Sequence, residues 1–372
     1  WRDIKSMSTS EILGFIAEWY DPQPQMMKQF LVKVFTDTAD IEIYTKQTNT
    51  RFLKKCPLPS NLSLDNFYLG GKINIHHRLM TIIDYGDPYT RRKLSPSSAN
   101  TCVLLGPDAY FNMGKIMEEL TMGSGLKVSK LQSFAFKESE LYDLIPLLDI
   151  EAPIPHEQLV KFWCSGLSVA LELKGTNCHD TVTELVARIR ASYGASSLEA
   201  AIWLADGLGD FCFGGARRFE PTATLQDCTC GVVRAHAVKS GDFARIIDSV
   251  LSSRMFSISA MQMFELDKTS ASEFLEVYDG VMPNYKDMVV DLCSGPIIAL
   301  EVKLDPSGRV DPSSTSVVSA FRDFVGPWDV EMAKELRPTS IRAKFGKGRT
   351  ENALHCTDLP DDGAAEVSYF FD

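Results

Sequence analysis

"CSGPIIALEVK", Cys293 to Lys303, decides how the chain is read, because it has already occurred once as "CSGLSVALELK", Cys164 to Lys174. The likeness extends outward from that stretch. "RIRASYGASSLEAAIW", Arg188 to Trp203, echoes "SIRAKFGKGRTENALH", Ser340 to His355. "TCVLLGPDA", Thr101 to Ala109, echoes "TCGVVRAHA", Thr229 to Ala237. A domain has been duplicated, with boundaries at 1–98, 99–222 and 223–372. The copies are not equal in length. Cys164 and Cys293 lie 129 positions apart, Arg190 and Arg342 152, so the first copy lacks about 23 residues before its "IRA" turn. The sequence on both sides persists, so the loss is expected in a surface loop.

Periodicity supplies the elements. Cys230–Val233 reads as a strand. Phe243, Ile246, Ile247, Val250 and Leu251 mark one face of a helix. Ile258–Phe264 is a second strand, and Ile298, Leu300 and Val302 line one face of a third. Met113, Ile116, Met117 and Leu120 repeat the helix in the first copy. The order fits an α+β class in which each copy is a ferredoxin-like αβ sandwich. The first ~95 residues differ. "FLVKVF", "IEIY" and "LMTIID" are β-rich and separated by turn signals at Asp21-Pro22, Gly70-Gly71 and Asp84 to Pro88, which predicts a small β-domain. Ser and Pro between Lys93 and Thr101 mark a linker.

Composition narrows the function. Apolar residues are 45% and charged residues 23% of 372, with a net charge of −11. Nucleic acid wants a basic stripe, and anionic membranes want positive charge, so both are excluded as partners. No apolar run reaches a membrane span. Nine scattered cysteines read as reduced thiols of a cytosolic compartment. Cys228-Thr229-Cys230 suits strand alternation better than a zinc knuckle, and no metal site is expected. Trp1 in place of Met leaves open a trimmed N-terminus or a removed targeting segment.

The chemistry gathers near "TENALHCTDLPDDG", Thr350 to Gly363. Phosphoryl transfer needs a nucleophile, cations for the moving oxygens and a group to orient the nucleophile. His355 offers an imidazole, and Glu366, eleven positions on, a carboxylate. Arg322 and Arg342 offer bidentate forks, and Asn352 stands three before the histidine. These residues resemble the nucleoside diphosphate kinase signature N-x-x-H-G-[ST]-D. Together with "GFIAEWYDP" (Gly14 to Pro22), "LMTIIDYGDPYTRRKL" (Leu79 to Leu94), "ISAMQMF" and "HCTDLPDDGAAEVSYFF", the chain resembles the homologue-seven branch of that family over nearly its whole length. That branch has an N-terminal PH-like DM-ten domain and two kinase-like domains.

The resemblance implies His355 as phosphate acceptor, Glu366 as its orienting carboxylate, Arg322 and Arg342 as phosphate contacts, Asn352 on sugar and phosphate, and Tyr278 near the nucleophile. Arg234 replaces the family's phosphate-binding lysine. The base-stacking Phe falls at Asn284, an Arg of the same lid at Met282, a phosphate-contacting Thr at Trp328, and the Gly after the histidine at Cys356. In the first copy Trp203 takes the nucleophile's place, Ala200 the asparagine's, Gly106 the lysine's and Gly214 the carboxylate's, so this copy is expected to be inactive and the second weak or inactive.

Plainer readings stand beside these. His355 is a structural histidine of a vestigial pocket, Glu366 a solvated strand-end carboxylate, and Arg322 and Arg342 surface ion-pair partners. Trp203 is core packing or an aromatic anchor for a partner. His236 is a helix cap or surface residue, and His76-His77 one packed and one exposed histidine. For function the resemblance implies a structural protein of the cytoskeleton in the cytoplasm, on the ciliary or flagellar axoneme. Its partners there are tubulin on the lumenal wall of doublet microtubules and other lining proteins, with the basal body or centrosome as a second location. A net charge of −11 opposes the acidic tails outside the microtubule but not the lumenal face, which lacks them. The alternative is a ping-pong kinase using Mg²⁺ with a nucleoside di- or triphosphate at His355 only.

Overall fold

Residues 12–21, 26–59, 62, 67–75, 78–87, 90, 100–148, 150, 154–215, 219–308 and 315–372 are described by the structure, a computed structural model. The chain divides into two units, Trp1–Ala99 and Asn100–Asp372.

Alternating apolar residues build the first unit. Strands β1 (Ile12–Asp21), β2 (Met26–Phe35), β3 (Asp40–Thr45), β4 (Arg51–Pro57), β5 (Lys72–Ile75) and β6 (Arg78–Tyr85) form one sheet in the order β4-β3-β2-β1-β6-β5. All neighbours are antiparallel. Phe15, Phe30, Val32, Val34, Ile41, Ile43, Ile73 and Met80 share one core, as period-two patterning requires. The turn after β6 is tied down at Gly14. A Cβ there would lie 2.5 Å from Asp87 Oδ2. The Gly14 amide donates to Thr90 Oγ1 at 2.8 Å, and Thr90 donates through N and Oγ1 to Asp87, each at 2.7 Å. Pro22, His76, His77, Pro88 and residues 93–99 of the expected linker lie outside the described residues.

The second unit holds both copies. The first runs β7 (Thr101–Leu105), α1 (Met113–Thr121), β8 (Lys127–Phe134), α2 (Glu138–Leu144), α3 (His156–Trp163), β9 (Ser168–Lys174), α4 (Cys178–Tyr193), β10 (Ile202–Leu204) and α5 (Leu208–Phe213). The second runs β11 (Cys228–Val233), α6 (Ala235–Ser240), α7 (Asp242–Ser252), β12 (Phe256–Phe264), α8 (Lys268–Phe274), α9 (Tyr285–Leu292), β13 (Ile297–Leu304), α10 (Val317–Val325), α11 (Val330–Leu336), α12 (Ile341–Phe345), β14 (Leu354–Cys356) and α13 (Gly363–Phe371). Their strands form one sheet, β10-β7-β9-β8-β12-β13-β11-β14. Each half follows the order fourth, first, third, second, the ferredoxin-like arrangement.

The repeated "ALE" strand explains why both copies keep a glutamate there. Buried Glu301 on β13 accepts from the amides of Thr224 (2.9 Å) and Leu225 (2.7 Å) and from Ser259 Oγ. Glu172 on β9 accepts from Asn100 Nδ2 (3.1 Å), Ser129 Oγ (2.8 Å) and Lys130 Nζ (3.2 Å). Each carboxylate thus pins the chain just before its copy's first strand. The length difference is more than a surface loop. Where the second copy has α10, α11 and α12, the first has the single 16-residue α4. The loss removed a helix as well as its connections, and the two flanking helices became one.

The copies meet edge to edge, with Gln262 of β12 opposite Gln132 of β8. Tyr110 Oη accepts from the Ile258 amide at 2.8 Å and donates to the Ile258 carbonyl at 3.0 Å. On one face of the sheet a single core spans both copies, joining Ile116, Met117 and Leu120 of α1 to Phe243, Ile247 and Val250 of α7. On the other face each copy has its own core. Helices α1 and α7 approach closely because residue 114 is glycine: a Cβ there would sit 2.4 Å from the Asp248 nitrogen. Backbone cannot yield as a side chain does, so Gly114→Val is expected to destabilise the unit by about 1–3 kcal/mol, measured by urea unfolding.

Candidate active site

Strand register places His355. On β14, His355 lies opposite Val232 of β11. Its neighbours Leu354 and Cys356 enter the shared core, so alternation turns His355 to the opposite face, beside Phe274, with the ring centroids 5.3 Å apart. The chain then turns through Pro360–Asp362 into α13, whose first turn carries Glu366. Glu366 is therefore helical and not at a strand end. His355 Nε2 lies 2.9 Å from Glu366 Oε2, and the imidazole is 1% exposed. Thr357 Oγ1 donates to the same oxygen at 3.1 Å and accepts from the Cys230 amide at 3.0 Å. A carboxylate at Nε2 selects the tautomer protonated there, leaving the Nδ1 lone pair free. Among the described residues Nδ1 has no partner, and buried polar atoms without one are few.

The other expected residues gather at the same strand ends. The Arg234 amide donates to the Ala353 carbonyl at 2.9 Å, joining the end of β11 to the start of β14. The Arg234 side chain is fully buried. Its Nη1 donates to Asp291 Oδ2 at 3.2 Å, while Nε and Nη2 have no partner among the described residues. Burial pulls this guanidinium below its ordinary value and pushes the Asp291 carboxyl above its own, and mutual attraction offsets both. Asn352 is buried, with neither side-chain amide atom partnered among the described residues. Arg342 is buried as well, not a surface residue. It donates to the carbonyls of Leu354 (3.1 Å) and Gly326 (2.9 Å) and lies 5.1 Å from the Trp328 ring centroid. Tyr278 Oη donates to Asp358 Oδ2 at 2.5 Å; burial, and then Asp358, hold its phenol well above the ordinary range. Arg322 is half exposed at the rim and donates to the Asp358 carbonyl at 2.8 Å.

These buried groups suit a phosphate-bearing ligand. Arg234 and Asn352 hold unused donors, and Nδ1 holds an unused lone pair. Two features oppose easy turnover. Trp328 covers Arg342, and the carboxylates Asp291 and Asp358 already engage Arg234, Arg322 and Tyr278. Sequence reading missed Asp291, which reaches Arg234 from α9, 57 positions away, and belongs to no motif. It also misplaced His236, which is neither cap nor surface residue but is buried in α6.

Backbone bonds fix the register of the first copy. The Gly106 amide donates to Ala201 O (3.0 Å) as Arg234 does to Ala353 O. Arg190 Nε donates to Ile202 O (2.9 Å) as Arg342 Nε does to Leu354 O. Ala201 and Ala353 both take positive φ, 62° and 71°. Trp203 therefore stands where His355 stands. It is 3% exposed and packs against Trp163, 5.7 Å away. Gly214 offers no carboxylate, and the Phe162 ring lies against Gly106, 3.2 Å from where its Cβ would be. An open cleft of about 380 Å³ persists beside the indole, lined by Arg190, Ser196, Ser197 and Ala200.

Comparison with known proteins identifies the family. The nucleoside diphosphate kinase family profile matches residues 227–372. The chain is 34% identical over 388 aligned positions to nucleoside diphosphate kinase homolog 7 of Mus musculus, covering 97% of this chain and 93% of that protein. The Rattus norvegicus homolog 7 is 33% identical with the same coverage. The crystal structure of the Aquifex aeolicus nucleoside diphosphate kinase is 28% identical, covering 39% of this chain and 94% of that one, with a TM-score of 0.34.

Removing one member of a buried pair strands the other charge. Asp291→Ala is expected to cost about 3–5 kcal/mol of stability, read from denaturant unfolding.

Proposed function

The chain belongs to the nucleoside diphosphate kinase homologue 7 family, and we propose that it is a structural component of the ciliary axoneme. In this reading it binds the lumenal wall of doublet microtubules, with tubulin and neighbouring lining proteins as partners, through its kinase folds and a PH-like DM-ten domain formed by the N-terminal sheet. Trp203 at the position of His355 is the observation that carries the proposal. An indole cannot accept a phosphoryl group, yet the surrounding turn is kept bond for bond. A fold retained after its chemistry is lost supports a role for its surface. Co-sedimentation of the intact chain with microtubules opened to expose their lumen tests this. Enrichment over closed microtubules is expected, and equal binding to both would contradict it.

The second copy carries the alternative reading, on one observation: His355 with Glu366 on Nε2 and an unpartnered Nδ1. A magnesium-bound nucleotide would supply the phosphoryl group. Arg234 and Asn352 would hold its oxygens, and Glu366 would stabilise the imidazolium formed as Nδ1 attacks. Trp328, Asn284 and Met282 weaken the grip on phosphate, base and lid. Since a misplacement of ~1 Å can cost ~10²-fold, a nucleotide held there would be turned over slowly. Incubation with γ-labelled ATP is expected to leave little label, on wild type only and none on His355→Ala. Stable label passed rapidly to a nucleoside diphosphate would favour the kinase over the scaffold.

A further inference from the structure

His236 presents an unusual combination beside the pocket. It is 8% exposed, and among the described residues neither ring nitrogen makes a hydrogen bond of normal geometry, the nearest acceptor being the Phe345 backbone. A buried imidazole normally bonds through at least one nitrogen. His236 Nδ1 or Nε2, a carboxylate oxygen of Asp291 and one of Glu351 all lie within 4.8 Å of one another. The three residues come from different elements: α6, α9 and the turn that leads into β14.

We propose that His236, Asp291 and Glu351 form a binding site for one zinc-class divalent cation, completed by water. One nitrogen and two carboxylate oxygens are a common zinc donor set, at ~2.0–2.2 Å from the metal. Such bonds place ligand atoms ~3.3 Å apart, so from separations of up to 4.8 Å the three groups close in by up to ~1.5 Å. Glu351 is exposed and free to swing. The imidazole selects against Mg²⁺ and Ca²⁺, which take oxygen ligands. Arg234, donating to Asp291 Oδ2, backs that carboxylate as hydrogen-bonded partners of metal ligands do.

The site belongs to the second copy alone. At the matching positions the first copy has Asp108, Phe162 and Glu199, and Asp108 Oδ2 is spent on the Ala201 amide at 2.8 Å. A bound cation would tie α6 and α9 to the turn carrying Asn352, three residues before His355. This is a site beside the nucleotide pocket, and it does not depend on nucleotide or on His355 reacting.

The test is titration of the intact, reduced, metal-free chain with Zn²⁺ by calorimetry and with Co²⁺ by absorbance. One equivalent is expected to bind, with a tetrahedral Co²⁺ d–d spectrum and no thiolate charge-transfer band, and to raise Tm. Glu351→Gln, a change at an exposed side chain, is expected to weaken binding at least about tenfold, and His236→Ala about 100-fold or more. A thiolate band would assign the metal to cysteines and overturn the proposal. So would absence of tight binding, or binding that Glu351→Gln leaves unchanged.

Discussion

The structure of the larger unit depends on how two sheet edges were brought together. Each copy alone would expose an edge strand, β8 in one and β12 in the other, and an exposed edge invites unwanted pairing. Joining them makes one eight-stranded sheet, whose helices must then pack across the seam. Gly114 is what lets them: without a Cβ, α1 can rest on the backbone of α7. Tyr110 bonds both the amide and the carbonyl of Ile258, next to the register shift of β12. The shared core behind the seam holds both copies in fixed register, whatever happens in their separate cores on the other face.

That division accounts for the divergence of the two sites. The reactive positions face the unshared cores, so one pocket could change without disturbing the seam. In the first copy, Trp203, Trp163 and Phe136 have turned the former reactive centre into aromatic packing. In the second, imidazole and carboxylate remain, but the cations around them have acquired internal partners. Arg234 faces Asp291, and Arg322 faces Asp358. Any anionic ligand must compete with those carboxylates, and the buried Arg234–Asp291 pair yields less readily than the half-exposed Arg322–Asp358 pair.

Much of this was legible in the sequence because it rests on local periodicity or on exact repetition. The helix over Phe243 to Leu251, the strands at Cys230, Ile258 and Ile298, and the β-rich N-terminus follow from apolar spacing. The equivalence of Trp203 and His355 follows from counting along the "IRA" repeat, and backbone hydrogen bonds of the two turns match it. What stayed hidden depends on distant residues. Asp291 reaches Arg234 only because α9 folds over β11, and His236 is buried only because its helix packs beneath the same elements. The length difference was visible as a number, but that it fused two helices into α4 depends on geometry. A polar residue in a short helix carries no pattern that says which way it faces.

If the chemistry is lost from the first copy only, a single pocket of the pair is left to take nucleotide. Calorimetric titration of the intact chain with a non-hydrolysable ATP analogue measures this directly, through the number of sites. One nucleotide per chain is expected, lost with Asn352→Asp and untouched by Trp203→Ala. Two nucleotides per chain, or a single one abolished by a change at Trp203 or Arg190, would contradict it.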